Sequence, residues 1–264
     1  MDVAHRSCFD NRVYREFRPD QRLRAFVECG WLRSGLATPS IRVMPDGCVD
    51  VFVTADGNVM ISGPADIFYD MPTCNRGVLA GLRLRPGVAP AVIGSPASEF
   101  TNTQVPLDSA FDVVGRRMAE ALLEAVTPTQ RISLLGDVVV DYFATVEPVL
   151  DRPVARAVSV LRSDPDTPVS ALADEVGLSE RQLRRRFEVA VGYGPKRLGR
   201  VFRFQRLLDL IHASHDRPRW SQLALAAGYA DQSHMINECV ALAGRPPTTL
   251  PVSVSSNTGA AQPS

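Results

Sequence analysis

Four arginines crowd one short stretch, Arg181, Arg184, Arg185 and Arg186, broken only by Gln182 and Leu183. A guanidinium offers two parallel N–H groups that match the O6/N7 edge of guanine, and it pairs equally well with a phosphate. Spaced i, i+3 and i+4, Arg181, Arg184 and Arg185 share one helical face, while Leu183 and Phe187 point inward. That face suits base edges in a major groove, and Arg186 is placed to reach a phosphate. The competing reading is a solvated charge run. Further along, Gln232, Ser233, His234 and Asn237 form a second polar face of base-reading types. Double-stranded DNA is the partner such a pair of faces implies.

Both faces are built by the same local pattern. Leu172, Ala173 and Val176 make a short apolar helix closed by Gly177, and Leu223 and Ala224 lead to Gly228 in the same way. The glycines supply the left-handed backbone of a tight turn. Ser179 with Gln182 is a capping box, so the first recognition helix is expected to start at Glu180. Asp231 is the N-cap expected for the second. The two copies align at an offset of 51 that becomes 52 after one extra residue in the turn, and both close on Gly-x-x-Pro, at Gly192–Pro195 and Gly244–Pro247. Two helix-turn-helix units in tandem are predicted.

Between the copies, Pro195 to His212 reads as one helix. About 18 residues at 1.5 Å per residue span roughly 27 Å, close to the roughly 34 Å between successive major grooves on one face of DNA. Arg197, Arg200, Arg203 and Arg206 recur along it at spacing three. Arg197 and Arg200 are assigned to phosphates, with pairing to Asp209 and neighbouring acids as the competing role. Pro153 opens a helix running to about Ser163, and Thr167 is expected to cap the next one, with Pro168 at its first position.

Charge follows the same division. The chain of 264 residues is formally neutral, but residues 151–250 carry 15 Lys+Arg against 11 Asp+Glu, a net of +4, and the rest carries 14 against 18, a net of −4. The basic excess sits where the repeat lies. Five cysteines, Cys8, Cys29, Cys48, Cys74 and Cys239, are an odd number without a CxxC pair, the usage of a reducing cytoplasm. No apolar run is long enough for a bilayer, and the start of the chain lacks the apolar run of a signal peptide. A cytoplasmic protein without membrane contact is expected.

The first half reads as β-structure. Ile41–Met44, Val49–Val53 and Val59–Ile61 are separated by turn signals, Ala55 to Asn58 suits a hairpin, and Leu82 to Arg85 alternates as a half-exposed strand would. Pro19 to Glu28 is expected as a short helix. Residues 110–126 and 130–146 then carry apolar stripes at helical spacing, the second through Ile132, Leu135, Val138, Val139, Tyr142 and Phe143. These helices either form a dimer surface or cover the β core. The fold class expected is α+β: a β-rich barrel or sandwich with two following helices, then an all-α domain of two helix-turn-helix units joined by a long helix. The domains fall at 1–148 for sensing or oligomerisation and 149–250 for DNA binding, with 251–264 a disordered tail.

Residues 150–250 resemble the C-terminal DNA-binding domain of AraC-type (AraC/XylS) transcriptional regulators. The resemblance is carried by Gly228-Tyr229-Ala230-Asp231-Gln232-Ser233-His234-Met235, by both Gly-x-x-Pro closures and by Arg203-Phe204-Gln205-Arg206-Leu207-Leu208. It implies seven helices, binding in adjacent major grooves, and base reading by Arg181, Arg184 and Arg185, then Gln232, Ser233, His234 and Asn237. The sequence departs from the pattern at Cys239, where an inward aromatic is expected, around Asn237, where an arginine is usual, and at Pro246–Leu250, which lacks aromatic and basic residues. The first half resembles a β-rich N-terminal domain of one subgroup of these regulators through Tyr14–Phe17, Val27–Trp31, Met44–Asp50 and Gly81–Gly87. That implies sensing or oligomerisation. RNA polymerase, a second copy of the chain and a small-molecule effector are the further partners expected.

No catalytic constellation is found, and no cofactor or metal is expected. His5 is the only histidine before the connector, which argues against a metal centre of clustered histidines in the first half. Cys29, Cys48 and Cys74 are either redox or alkylation sensors or buried structural thiols. Asp46 and Asp50 are acid/base candidates, although turn chemistry explains Asp46. His212 and His215 fit helix-end carbonyls better than a metal. The alternative function is a DNA-binding repair or modifying enzyme with its chemistry in the first domain, and that reading needs a zinc-type cysteine cluster which the spacings do not provide.

Overall fold

The computed structural model describes residues 13–34, 40–54, 58–72, 79–106, 127–145, 148–214 and 219–250. The described residues of the first part form eight short strands: β1 (Val13–Phe17), β2 (Val27–Ser34), β3 (Ser40–Val43), β4 (Val49–Val53), β5 (Val59–Ser62), β6 (Tyr69–Pro72), β7 (Leu79–Leu84) and β8 (Gln104–Pro106). Six form one antiparallel sheet in the order β1-β2-β7-β4-β5-β8, and β3 pairs with β6 in a separate two-stranded ribbon. The hairpin expected between β4 and β5 is closed by the Thr54 N–H donating to Asn58 O at 2.9 Å.

One face of the large sheet, with Val51, Val53, Ile61, Leu82 and Leu84, is covered by α1 (Ala89–Ile93) and α2 (Pro128–Thr145). From α2, Val139 is buried, and Ile132, Leu134, Val138 and Val140 pack on the same core. Ile132, Val138 and Val139 of the expected stripe therefore cover the β core, and the side chains of Leu135, Tyr142 and Phe143 lie outside the described residues. The other expected helix, over 110–126, lies outside the described residues. The opposite face carries Trp31, Phe52 and Leu79 with Tyr14, Met60 and Met71 beside them.

Two expectations about the β-rich part are corrected. Pro19 to Glu28 is not a helix: a single 3-10 turn (Gln21–Leu23) leads directly into β2. Val27 sits on the helix-covered face and Cys29 on the other, although two positions apart, because a bulge shifts the register between them. Sheet pairing and burial on both faces outweigh local helix preference here. The strand through Leu82 to Arg85 is also not half exposed. It is the central strand β7, paired on both sides, and Arg83 is only 5% exposed. Arg83 Nε lies 3.2 Å from Asp50 and 3.4 Å from Asp46, with Nη1 3.8 Å from Glu16. Asp50 also accepts from Trp31 Nε1 at 3.0 Å. Burial raises the Asp50 carboxyl above its ordinary range, although Arg83 pulls it down. Asp46 and Asp50 thus serve a buried ion-pair cluster, which fixes one packing arrangement more than it adds stability.

The second part is helical: α3 (Arg152–Ser163), α4 (Val169–Glu175), α5 (Glu180–Val191), α6 (Pro195–Ala213), α7 (Trp220–Ala227) and α8 (Gln232–Ala243). Asp151 caps α3 by accepting from Val154 N. Thr167 does not cap α4. Its hydroxyl donates to Asp164 O at 2.8 Å, and Pro168 occupies the cap position. The tail over 251–264 lies outside the described residues.

Candidate nucleic-acid interface

The first reading head is α4, a turn and α5. Gly177, at φ +67°, makes the turn. The capping box forms: Ser179 Oγ accepts from Gln182 N at 3.3 Å, and Gln182 Oε1 accepts from Ser179 N at 2.9 Å. Leu183 and Phe187 are fully buried against Leu172, Ala173 and Leu198. With these locked inward, the helical period pushes Arg181, Arg184 and Arg185 out to solvent together. Arg184 Nη2 donates to Glu180 Oε2 at 2.5 Å, one turn back. Arg186 leans the other way, 3.3 Å from Asp151.

The second head is α7, a turn and α8. Gly228 is at φ +96°, and Asp231 accepts from His234 N at 2.7 Å as the expected N-cap. Gln232, Ser233 and Asn237 are exposed. His234 is half-buried: its Nδ1 accepts from Ala230 N at 3.4 Å, and its ring stands edge-on to Tyr229 with centroids 5.4 Å apart. Met235 and Cys239 are fully buried, so Cys239 occupies the inward position where the resemblance implies an aromatic. Burial pushes its thiol up to about 12. The buried thiols of Cys29 and Cys48 are likewise raised by burial, which keeps all three protonated near neutrality.

The connector α6 serves both cores. Leu198 and Phe202 belong to the first, and Phe204, Leu207 and Leu208 to the second. Its arginines are engaged within the protein. Arg197 Nε lies 2.7 Å from Asp66, Arg200 Nε 2.7 Å from Glu238, and Arg203 pairs with Asp166 and, at 3.3 Å, with Glu238. Arg203 also stacks over the Tyr229 ring at 5.0 Å. Arg206 is exposed.

Sequence reasoning passed over Glu238. It is a buried acid on the recognition helix α8, receiving two connector arginines. The signal was the run of arginines at spacing three, which needs acids from a neighbouring helix once one face is buried. The partner of Arg197 had no such signal, since Asp66 lies in the other half of the chain. No group of three or more metal-ligating side chains occurs among the described residues, and no described helix is long and apolar enough to cross a membrane.

Residues 172–250 match the family described as "Helix-turn-helix domain", and residues 15–106 match "Domain of unknown function (DUF6597)". No curated protein matches the chain in sequence. Solved structures of ToxT from Vibrio cholerae are similar in shape. The unsaturated fatty acid-bound form is 10% identical with a TM-score of 0.45, over 92% of this chain and 95% of that one. A 1.65 Å structure of ToxT is 10% identical with a TM-score of 0.42, over 90% of this chain and 97% of that one. With the capped turns and outward arginines, the two matches identify a helix-turn-helix domain over residues 172–250 behind a β-rich domain of unknown function over residues 15–106.

Proposed function

We propose that this protein is a sequence-specific transcriptional regulator that lays α5 and α8 into adjacent major grooves. The observation that supports this most is the pairing of two capped, outward polar helix faces on one connector. That connector, α6, has 19 residues and is therefore about 28 Å long at 1.5 Å per residue. Arg181, Arg184 and Arg185 read bases from the first head, with Gln232, Ser233 and Asn237 in the second. His234, engaged with Ala230 and Tyr229, contributes less. All three arginines assigned to phosphates hold carboxylates, but Arg186 is the best placed, because its 3.3 Å contact with Asp151 is the longest and that acid is the most exposed of the three.

The β-rich domain controls this reading through a small-molecule effector or through a second copy of the chain, and RNA polymerase is the protein partner, in the cytoplasm. Selection of bound sequences from random DNA tests the reading. A site of two half-sites about one helical turn apart is expected. Absence of any enriched sequence counts against it. Thermal shift of the full chain against a metabolite library tests the effector, with a raised melting temperature as the expected result.

A further inference from the structure

One segment of the β-rich domain touches the closing turns of both reading heads. Between β5 and β6, Pro64 packs on Gly192, where a Cβ would come within 2.6 Å of the Pro64 ring. The Tyr193 hydroxyl donates to Ala65 O at 3.2 Å, and buried Asp66 receives Arg197 Nε at 2.7 Å while Asn102 Nδ2 holds it from behind at 2.7 Å. Two residues later the same segment reaches the other head. The Phe68 N–H donates to Leu242 O at 2.8 Å, and its ring fills the space beside Gly244, where a Cβ would lie 2.5 Å from ring atoms. Arg42 of β3 stacks over that ring at 4.2 Å, donates Nη1 to Ala243 O at 3.3 Å and grips Asp70 with Nε and Nη2 at 2.9 and 2.8 Å.

The acceptors share a character. Leu242 O and Ala243 O belong to the last turn of α8, and Gly192 O, which accepts from Thr101 Oγ1 at 3.0 Å, belongs to the C-cap of α5. Carbonyls at a helix C-terminus have no partner within their own helix. The β-rich domain supplies donors to both recognition helices at the end away from their reading residues. Within the helical part, α6 links the two cores, with Asp166 beside Gly228 and Arg203 as a further contact, and a single long helix bends. A second connection across the same gap closes a frame.

We infer that Pro64–Phe68, with Arg42, is a spacing gauge: it sets the separation and rotation between α5 and α8, and so which half-site spacing the protein accepts. The DNA part of this rests on the function proposed above. The mechanical part does not, and is read first. In the full chain, with Cys8 and Cys74 replaced by serine, spin labels are placed at Glu188→Cys and Ala241→Cys, both exposed positions. Pulsed EPR is expected to give one narrow distance in the parent and a broader or shifted one in Phe68→Ala/Arg42→Ala. An unchanged distribution overturns the gauge. Gly244→Asn, which tolerates the left-handed backbone but displaces the Phe68 ring, repeats the test from the opposite side of the contact.

Binding to fragments carrying one half-site, or two at separations of about 9 to 12 base pairs, gives the second readout. The double variant is expected to hold a single half-site as the parent does, lose about tenfold at the best separation, and lose its preference among separations. An equal loss on every fragment means that the contacts only stabilise the fold, and overturns the gauge. A parent protein without DNA binding sinks the regulator reading, while the label distances still decide the tie.

Discussion

The two reading heads share a plan and differ in how firmly their helices are held. α5 begins with a two-way capping box and buries Phe187 completely. α8 begins with the one-way cap of Asp231 and buries Cys239 where the first head has an aromatic. What α8 lacks in apolar packing it receives as electrostatics: Glu238 ties it to Arg200 and Arg203 on α6, and the Arg203 guanidinium covers Tyr229. Apolar packing is non-directional, whereas an ion pair demands geometry. The recognition helix of the first head is therefore held mainly by apolar packing, and that of the second also by ion pairs to the connector. Their reading faces differ in the same sense, with arginines on one and short polar side chains on the other.

The largest expected effect tests the packing difference. Phe187→Ala removes a fully buried ring and should cost about 3–5 kcal/mol of stability, whereas Cys239→Ala removes one sulfur and should cost about 1 kcal/mol. Urea denaturation of both variants measures this, and equal losses would erase the contrast. Next comes the electrostatic substitute. Glu238→Gln leaves Arg200 and Arg203 without their shared carboxylate and should cost about 2 kcal/mol. Because Arg200 is partly exposed, water recovers some of that loss. The same change should loosen α8 without loosening α5, as hydrogen exchange would report, and uniform protection in both helices counts against it.

Reading is tested on DNA. Arg184→Ala should weaken the selected site by about 1–3 kcal/mol and relax preference at one base pair, while Asn237→Ala should cost less. Unchanged binding by the Arg184 variant would falsify the assignment of α5 as the main reader. An Asn237→Ala loss as large as that of Arg184→Ala would instead make the heads equal.

Much of this was legible in the chain. The glycine turns, the Ser179–Gln182 box, the Asp231 cap and the inward Leu183 and Phe187 depend on contacts within a few residues, so spacing alone places them. Arg83 shows where such reasoning stops. Leu82, Arg83, Leu84 and Arg85 alternate as a half-exposed strand does, but β7 is central and buried on both faces, and the acids that neutralise Arg83 come from β1, β4 and the turn before β4. The expected helix at Pro19 to Glu28 failed for the same reason, because sheet partners far along the chain decide its state. Contacts between the halves, such as Arg197 with Asp66 or Arg42 with Ala243, leave no periodic trace at all.

The smallest expected effect separates the two feet of the contact between domains. At the first head, Tyr193 and Asp66 are buried, but at the second, Arg42 is held by Asp70, which is exposed. The Arg42 hydrogen bonds lower the Asp70 carboxyl below its ordinary value of 3.8. A carboxyl lowered on folding adds stability above its unfolded value, and that contribution fades as pH falls through the folded one. Asp70→Asn should therefore melt slightly below the parent at neutral pH, by a margin that added salt reduces. The margin should hold down to about pH 5 and close as the pH drops past the ordinary carboxylate range. Arg42→Ala, which also removes the stacking on Phe68 and the donor to Ala243, should melt lower than Asp70→Asn across that whole range. If the two variants melt together, the ion pair is what matters at the second head, and the stacked ring and the helix-end carbonyl add nothing to it.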